Sequence, residues 1–180
     1  MIAALPVVAT AFVGFARQPW GEPFKWPLGF GNLKTIAISL SLMFGWFVVS
    51  VALAQLYVEI TDKPFPYQHM IPFSRALQAN PVVAWLGVVF VIPCTEEILF
   101  RGLRFGAFQK LWGVRGALIA TSILFVFYHL RLIGSLTLLL LALILGWARV
   151  RSGSVGLPIA LHALNNALVL TVLTFGLAPK

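Results

Sequence analysis

Two adjacent carboxylates, Glu96 and Glu97, stand inside the apolar run Pro93-Cys94-Thr95-Glu96-Glu97-Ile98-Leu99-Phe100-Arg101. The chain has only five acidic residues (Glu22, Glu59, Asp62, Glu96 and Glu97), so this pair is a large part of its negative charge. On the insertion scale an acid near a bilayer centre costs roughly 2.5–3.5 kcal/mol, or about 5–7 kcal/mol for an uncompensated pair. Acids kept at that cost point to function. Glu97 precedes Arg101 by four positions, the better order for an ion pair along one helix. Glu96 is rotated about 100° from Glu97 and has no such partner. The expected division is Glu97 as the charge-balanced structural residue and Glu96 as the freer, potentially catalytic one. A plainer reading is that both merely neutralise Arg101 and Arg104, although one carboxylate would suffice for Arg101.

The other candidates are His129, at the end of Phe125-Val126-Phe127-Tyr128-His129, and the pair His162 and Asn166. His162 and Asn166 are four apart and face the same way on a helix, with Asn165 as a competing neighbour. Taken singly, an intramembrane histidine is more often a satisfied core residue, and His and Asn also bridge helices by hydrogen bonding. The set raises the odds, because the chain has only three histidines and the third, His69, is set apart in a polar loop. An aspartyl mechanism needs two aspartates, and Asp62 stands alone. No histidine is followed by glutamate, which excludes the H-E-x-x-H zinc proteases. A G-x-S-x-G elbow is absent. Cys94 is close to the acids, but neighbouring carboxylates disfavour a thiolate. What survives is a carboxylate that activates water as general base, with polar donors for an oxyanion.

Elements that hold such groups must be membrane helices. The chain of 180 residues is 60% hydrophobic and 10% charged, with a mean hydropathy of +0.95. A soluble domain of that size cannot hide so much apolar surface, so an all-α, polytopic transmembrane helical bundle of about five or six spans is expected. Five stronger spans read as Thr35–Tyr57, Val82–Leu103, Gly116–Leu130, Ser135–Ala148 and Val155–Phe175. Residues 2–16 are apolar with Pro6 inside, and Arg17 follows rather than precedes them, unlike a signal peptide. They read as a short first helix or an interfacial segment. Residues 17–34 suit an interfacial connector, and 58–81, with Pro64, Pro66, Pro72 and Pro81, reads as one long polar loop. Pro93 should kink the second span, so that it restarts near Thr95 as a cap with both glutamates at a helix N-terminus.

The net charge of +8 fits basic loops under the positive-inside rule. Nucleic acid is not an expected partner, because no basic run is interleaved with aromatics in a polar context. Arg17, Lys25, Lys34, Arg104, Lys110, Arg115, Arg149 and Arg151 fall on one side of the membrane, expected to be cytoplasmic. Lys63, Arg75, Arg131 and Lys180 fall on the other. Trp112 and Trp147 then mark the cytoplasmic interface and Trp85 the opposite one. The lone cysteine, Cys94, permits no intrachain disulfide.

With these residues in order, the chain resembles the CPBP family (CAAX proteases and bacteriocin-processing enzymes, also called Abi or type II CAAX prenyl endopeptidase-like proteins). The resemblance rests on Glu96-Glu97-x-x-x-Arg101, Phe125-x-x-x-His129 and His162-x-x-x-Asn166, with Leu145-Gly146-Trp147 through Ser154 between the last two. It covers residues 82–175 and implies a protease core over 82–180, after an N-terminal membrane part over 1–81. It implies that Glu96 and His129 activate water, that His162 and Asn166 stabilise the oxyanion, and that Glu97 and Arg101 support the site. Phe127 and Tyr128 depart from the small residues expected there, and their bulk could narrow the substrate cavity. The resemblance favours a metal-independent glutamate mechanism, so no cofactor is expected, while a divalent metal such as zinc stays open. The implied partners are membrane lipid and a membrane-associated or prenylated peptide or protein, and the implied location is a bacterial inner (plasma) membrane. The alternative from another class is a non-catalytic scaffold, assembly or immunity factor in a membrane protein complex. A transporter is weaker, because neither inverted repeats nor broken-helix pairs are visible.

Overall fold

The computed structural model describes residues 28–66, 71–130 and 132–175, and these are all-α. Helix α1 (Leu33–Thr61) begins where Asn32 Oδ1 accepts from the Thr35 N–H at 2.8 Å, and it ends at Asp62 in a left-handed conformation. A short helix, α2 (Ile71–Ala79), lies within the stretch read as one polar loop. Its segment interleaves polar with apolar residues, so hydropathy alone hides it. The Asn80 side chain then caps α3 (Pro81–Trp85), whose first residue is the proline that needs no N–H partner there.

From Pro81 the helix runs on through a π-helical turn (Leu86–Val91), α4 (Ile92–Glu97), a second π turn (Ile98–Arg104) and α5 (Phe105–Tyr128). This run of 48 residues would be about 70 Å long if straight, against a hydrocarbon core of about 30 Å. It is not straight, because Gly113 leaves helical geometry with φ 69°. Phe100 and Phe125, which an unbroken helix would hold about 37 Å apart, have ring centroids only 5.1 Å apart. The chain therefore doubles back at Gly113 and packs α5 against the segment that carries the glutamates.

Helices α6 (Ser135–Ser152) and α7 (Gly156–Thr174) complete the described residues. The core is Phe100, Phe125 and the α6 residues Leu141, Ala142 and Leu145, joined by Met43 of α1 and Leu161 of α7. Trp46 Nε1 donates to the Thr137 carbonyl at 2.6 Å and ties α1 to α6. Three helices are long and apolar enough to cross a bilayer: Leu33–Thr61, Pro81–Tyr128 and Ser135–Ser152. The apolar part of the last helix, Gly156–Val172, is shorter. These helices mark an integral membrane protein. The expected helix or interfacial segment over 2–16 lies outside the described residues, as do most of the 17–34 connector and His69.

The restart expected at Pro93 is replaced by a different device. The helix continues through the proline, because the π turn before it changes the hydrogen-bonding register. Thr95 does not cap; its hydroxyl donates to the Val91 carbonyl four residues back at 2.6 Å. Glu96 and Glu97 consequently stand mid-helix, without a helix N-terminus to stabilise them, and their charge is met by side chains instead.

Candidate active site

Glu97 is fully buried and its Oε1 receives two donors. Arg101 Nη1 donates to it at 2.9 Å, and His162 Nδ1 from α7 donates at 2.8 Å. Arg101, also fully buried, gives a further bond from Nη2 to the Ala142 carbonyl of α6 at 2.9 Å. Its guanidinium carbon lies 4.6 Å from the centre of the Phe125 ring. The i,i+4 pair read from the sequence is thus present, and Glu97 has a second task in fixing the His162 ring.

Glu96, one residue earlier, points to a different set. Its Oε2 is 3.8 Å from His162 Nε2 and 4.0 Å from His129 Nε2. His129 Nδ1 lies 2.8 Å from the Phe125 carbonyl. A carbonyl only accepts, so Nδ1 carries the hydrogen and a neutral His129 turns its Nε2 lone pair toward Glu96. The His162 ring is oriented by the bond from its Nδ1–H to Glu97, which leaves Nε2 facing Glu96. Two imidazole Nε2 atoms and one carboxylate oxygen therefore converge from three separate helical segments. His129, with 22% of its side chain exposed, is the most accessible of the three.

Asn166, expected beside Glu96, is bonded instead to the helix that precedes the glutamates, about two turns earlier at Val88. In the first π turn the Ile92 N–H reaches back to Gly87, passing over the Val88 carbonyl. Pro93, the next backbone position able to serve Val88 in that register, has no N–H. Asn166 Nδ2 donates to this Val88 carbonyl at 2.9 Å, and Asn165 Nδ2 donates to Asn166 Oδ1 at 3.2 Å. Asn165 is thus a buttress for Asn166. Pro93 was the sequence signal for this bond, because a proline in a buried helix leaves a carbonyl to be satisfied.

Phe125 is the residue whose part was least visible in advance. It is fully buried, and its ring meets Arg101, His129 at 4.5 Å and His162 at 5.9 Å between centroids. Phe127, expected to narrow the cavity, instead points outward at 69% exposure, as its place on the opposite face of α5 requires. Tyr128 packs edge-on against Phe100 and His129. Cys94 is half-buried. Among the described residues no group of three or more His, Cys, Asp or Glu is spaced to hold a metal ion.

Comparisons with known proteins bear on the same segment. The chain is 33% identical over 142 residues to an uncharacterized 24.3 kDa protein of Escherichia coli. That match takes in 73% of this chain and 62% of the relative, so the chain spans less than two thirds of the relative's length. No solved structure matches. A family model described as Type II CAAX prenyl endopeptidase Rce1-like matches residues 78–168, about half of the chain and the whole of the Glu96 to Asn166 stretch. On this match the chain belongs to the Rce1-like type II CAAX prenyl endopeptidase family.

Proposed function

We propose that this protein is a membrane-embedded endopeptidase of the glutamate type. The reading is carried by one observation, the approach of Glu96 Oε2 to within 3.8 and 4.0 Å of the two histidine Nε2 atoms. Glu96 takes a proton from a water molecule while His129 Nε2, an acceptor in its neutral tautomer, helps orient that water. The resulting hydroxide oxygen bonds to the peptide carbonyl carbon, and the carbonyl oxygen takes the charge. Oxyanion stabilisation falls to His162 and Asn166. His162 donates from Nε2 as the imidazolium, with Glu97 as its counter-ion, and Asn166 uses the amide hydrogen not given to Val88. The carboxylic acid of Glu96 then returns the proton to the amine nitrogen as the C–N bond breaks. Arg101 and Glu97 position these groups.

The substrate class proposed is a membrane-associated peptide or protein, prenylated or not, in the lipid of a bacterial inner membrane. The Pro81–Tyr128 run is proposed to cross twice, with its reversal at Gly113 on the cytoplasmic side, where Trp112 and the flanking Lys110 and Arg115 lie. Purified protein in bilayers, offered a library of membrane peptides, should release new termini. Addition of a chelator should leave the rate unchanged, and a chelator-sensitive rate would overturn the metal-free mechanism. The scaffold reading predicts no new termini from any peptide.

A further inference from the structure

Two π turns flank the glutamates, and each leaves a backbone carbonyl that a side chain from another helix takes up. Asn166 serves Val88 in the first turn. In the second turn the Phe105 N–H, which in an α-helix would serve Arg101, goes to Phe100 and Gly102. Arg149 of α6 donates from Nε to the passed-over Arg101 carbonyl at 3.0 Å. Its guanidinium carbon sits 5.8 Å from the centre of the Phe105 ring, at the end of the same turn. A π turn carries one residue more than an α turn, so its presence changes the rotational phase of everything before it relative to everything after it. Away from water, a passed-over carbonyl needs a donor, and without one the turn has reason to relax to α geometry.

We propose that Arg149 is a positioning residue for the site, holding the second π turn open and so fixing the phase of Glu96 and Glu97 against Arg101 and α5. It acts through a neutral property, the Nε–H bond to a carbonyl, rather than through its charge. The inference concerns the geometry of the carboxylates and does not require that any particular peptide be cleaved.

Three substitutions separate the two properties. Arg149→Gln places an amide nitrogen on the δ carbon, where Nε stood, and removes the charge. Arg149→Lys keeps the charge and puts a methylene at that position. Arg149→Met has neither donor nor charge. Cys94, the only cysteine in the chain and half-buried between the two π turns, reports the phase of that segment through its rate of maleimide labelling in bilayers. The expected result is a parental labelling rate for Arg149→Gln and a rate changed severalfold for both Arg149→Lys and Arg149→Met. Peptide cleavage should follow the same order, with loss in kcat and little change in KM. A parental rate in Arg149→Lys with a changed rate in Arg149→Gln would assign the role to charge and overturn the proposal. Equal behaviour of all three variants would overturn it as well. If no peptide is cleaved by the parent, the labelling pattern still decides the point, so failure of the peptidase reading is told apart from failure of this one.

Discussion

Glu97 and Glu96 differ in what surrounds them rather than in what they are. Glu97 takes two hydrogen bonds on one oxygen, from Arg101 and His162. Glu97→Gln leaves the buried Arg101 without its counter-ion, which costs about 3–5 kcal/mol. Its unfolding midpoint in detergent should fall clearly below that of the parent. The i,i+4 spacing made the Arg101 bond legible in the sequence. The His162 bond was not legible, because it joins residues on helices far apart in the chain and no local periodicity encodes it. Phe125 belongs to the same class. Its ring supports Arg101 and both histidines, so Phe125→Ala should cost about 3–5 kcal/mol and lower the cleavage rate together with the unfolding midpoint.

Helices were the easiest elements to foresee and their interruptions the hardest. The long apolar runs gave α1, α6 and α7 close to their observed bounds, since hydropathy reports burial in lipid or protein directly, whereas the expected spans Val82–Leu103 and Gly116–Leu130 are parts of one helical run, Pro81–Tyr128. In place of the expected restart at Pro93 the helix has a π turn, and Asn166 supplies the donor that the proline withholds from the Val88 carbonyl. The reversal at Gly113 has φ 69°, a conformation that other residues adopt with difficulty. Gly113→Ala should therefore destabilise by about 1–3 kcal/mol, measured as a lower unfolding midpoint. At Gly156, by contrast, space rather than φ is limiting: an added Cβ would collide with the Leu28 backbone carbonyl. Gly156→Ala should displace the 28–31 segment from the start of α7 and raise its protease sensitivity.

At the scale of the molecule, charge decides how the bundle sits in a membrane. The greater basic count on the side that holds Lys110, Arg115, Arg149 and Arg151 predicts that this side is cytoplasmic. In a Cys94→Ser background, a cysteine replacing Lys110 or Arg115 should react with an impermeant maleimide from the cytoplasmic face only. Labelling from the opposite face would reverse the topology. Membership of the family fits the all-α architecture, and of the residues that carried the resemblance His129 and His162 approach Glu96, whereas Asn166 is bonded to the Val88 carbonyl. Hydrolysis by the proposed mechanism requires the Glu96 carboxylate. The most direct measurement is the initial rate of membrane-peptide cleavage by Glu96→Gln in the same bilayers as the parent, with the unfolding midpoint taken alongside. A general base contributes about 10²–10⁴-fold, so the rate should fall by that factor, while removal of a buried charge leaves the midpoint unchanged or raises it. A parental rate from Glu96→Gln would contradict the assignment of Glu96 as the group that activates water.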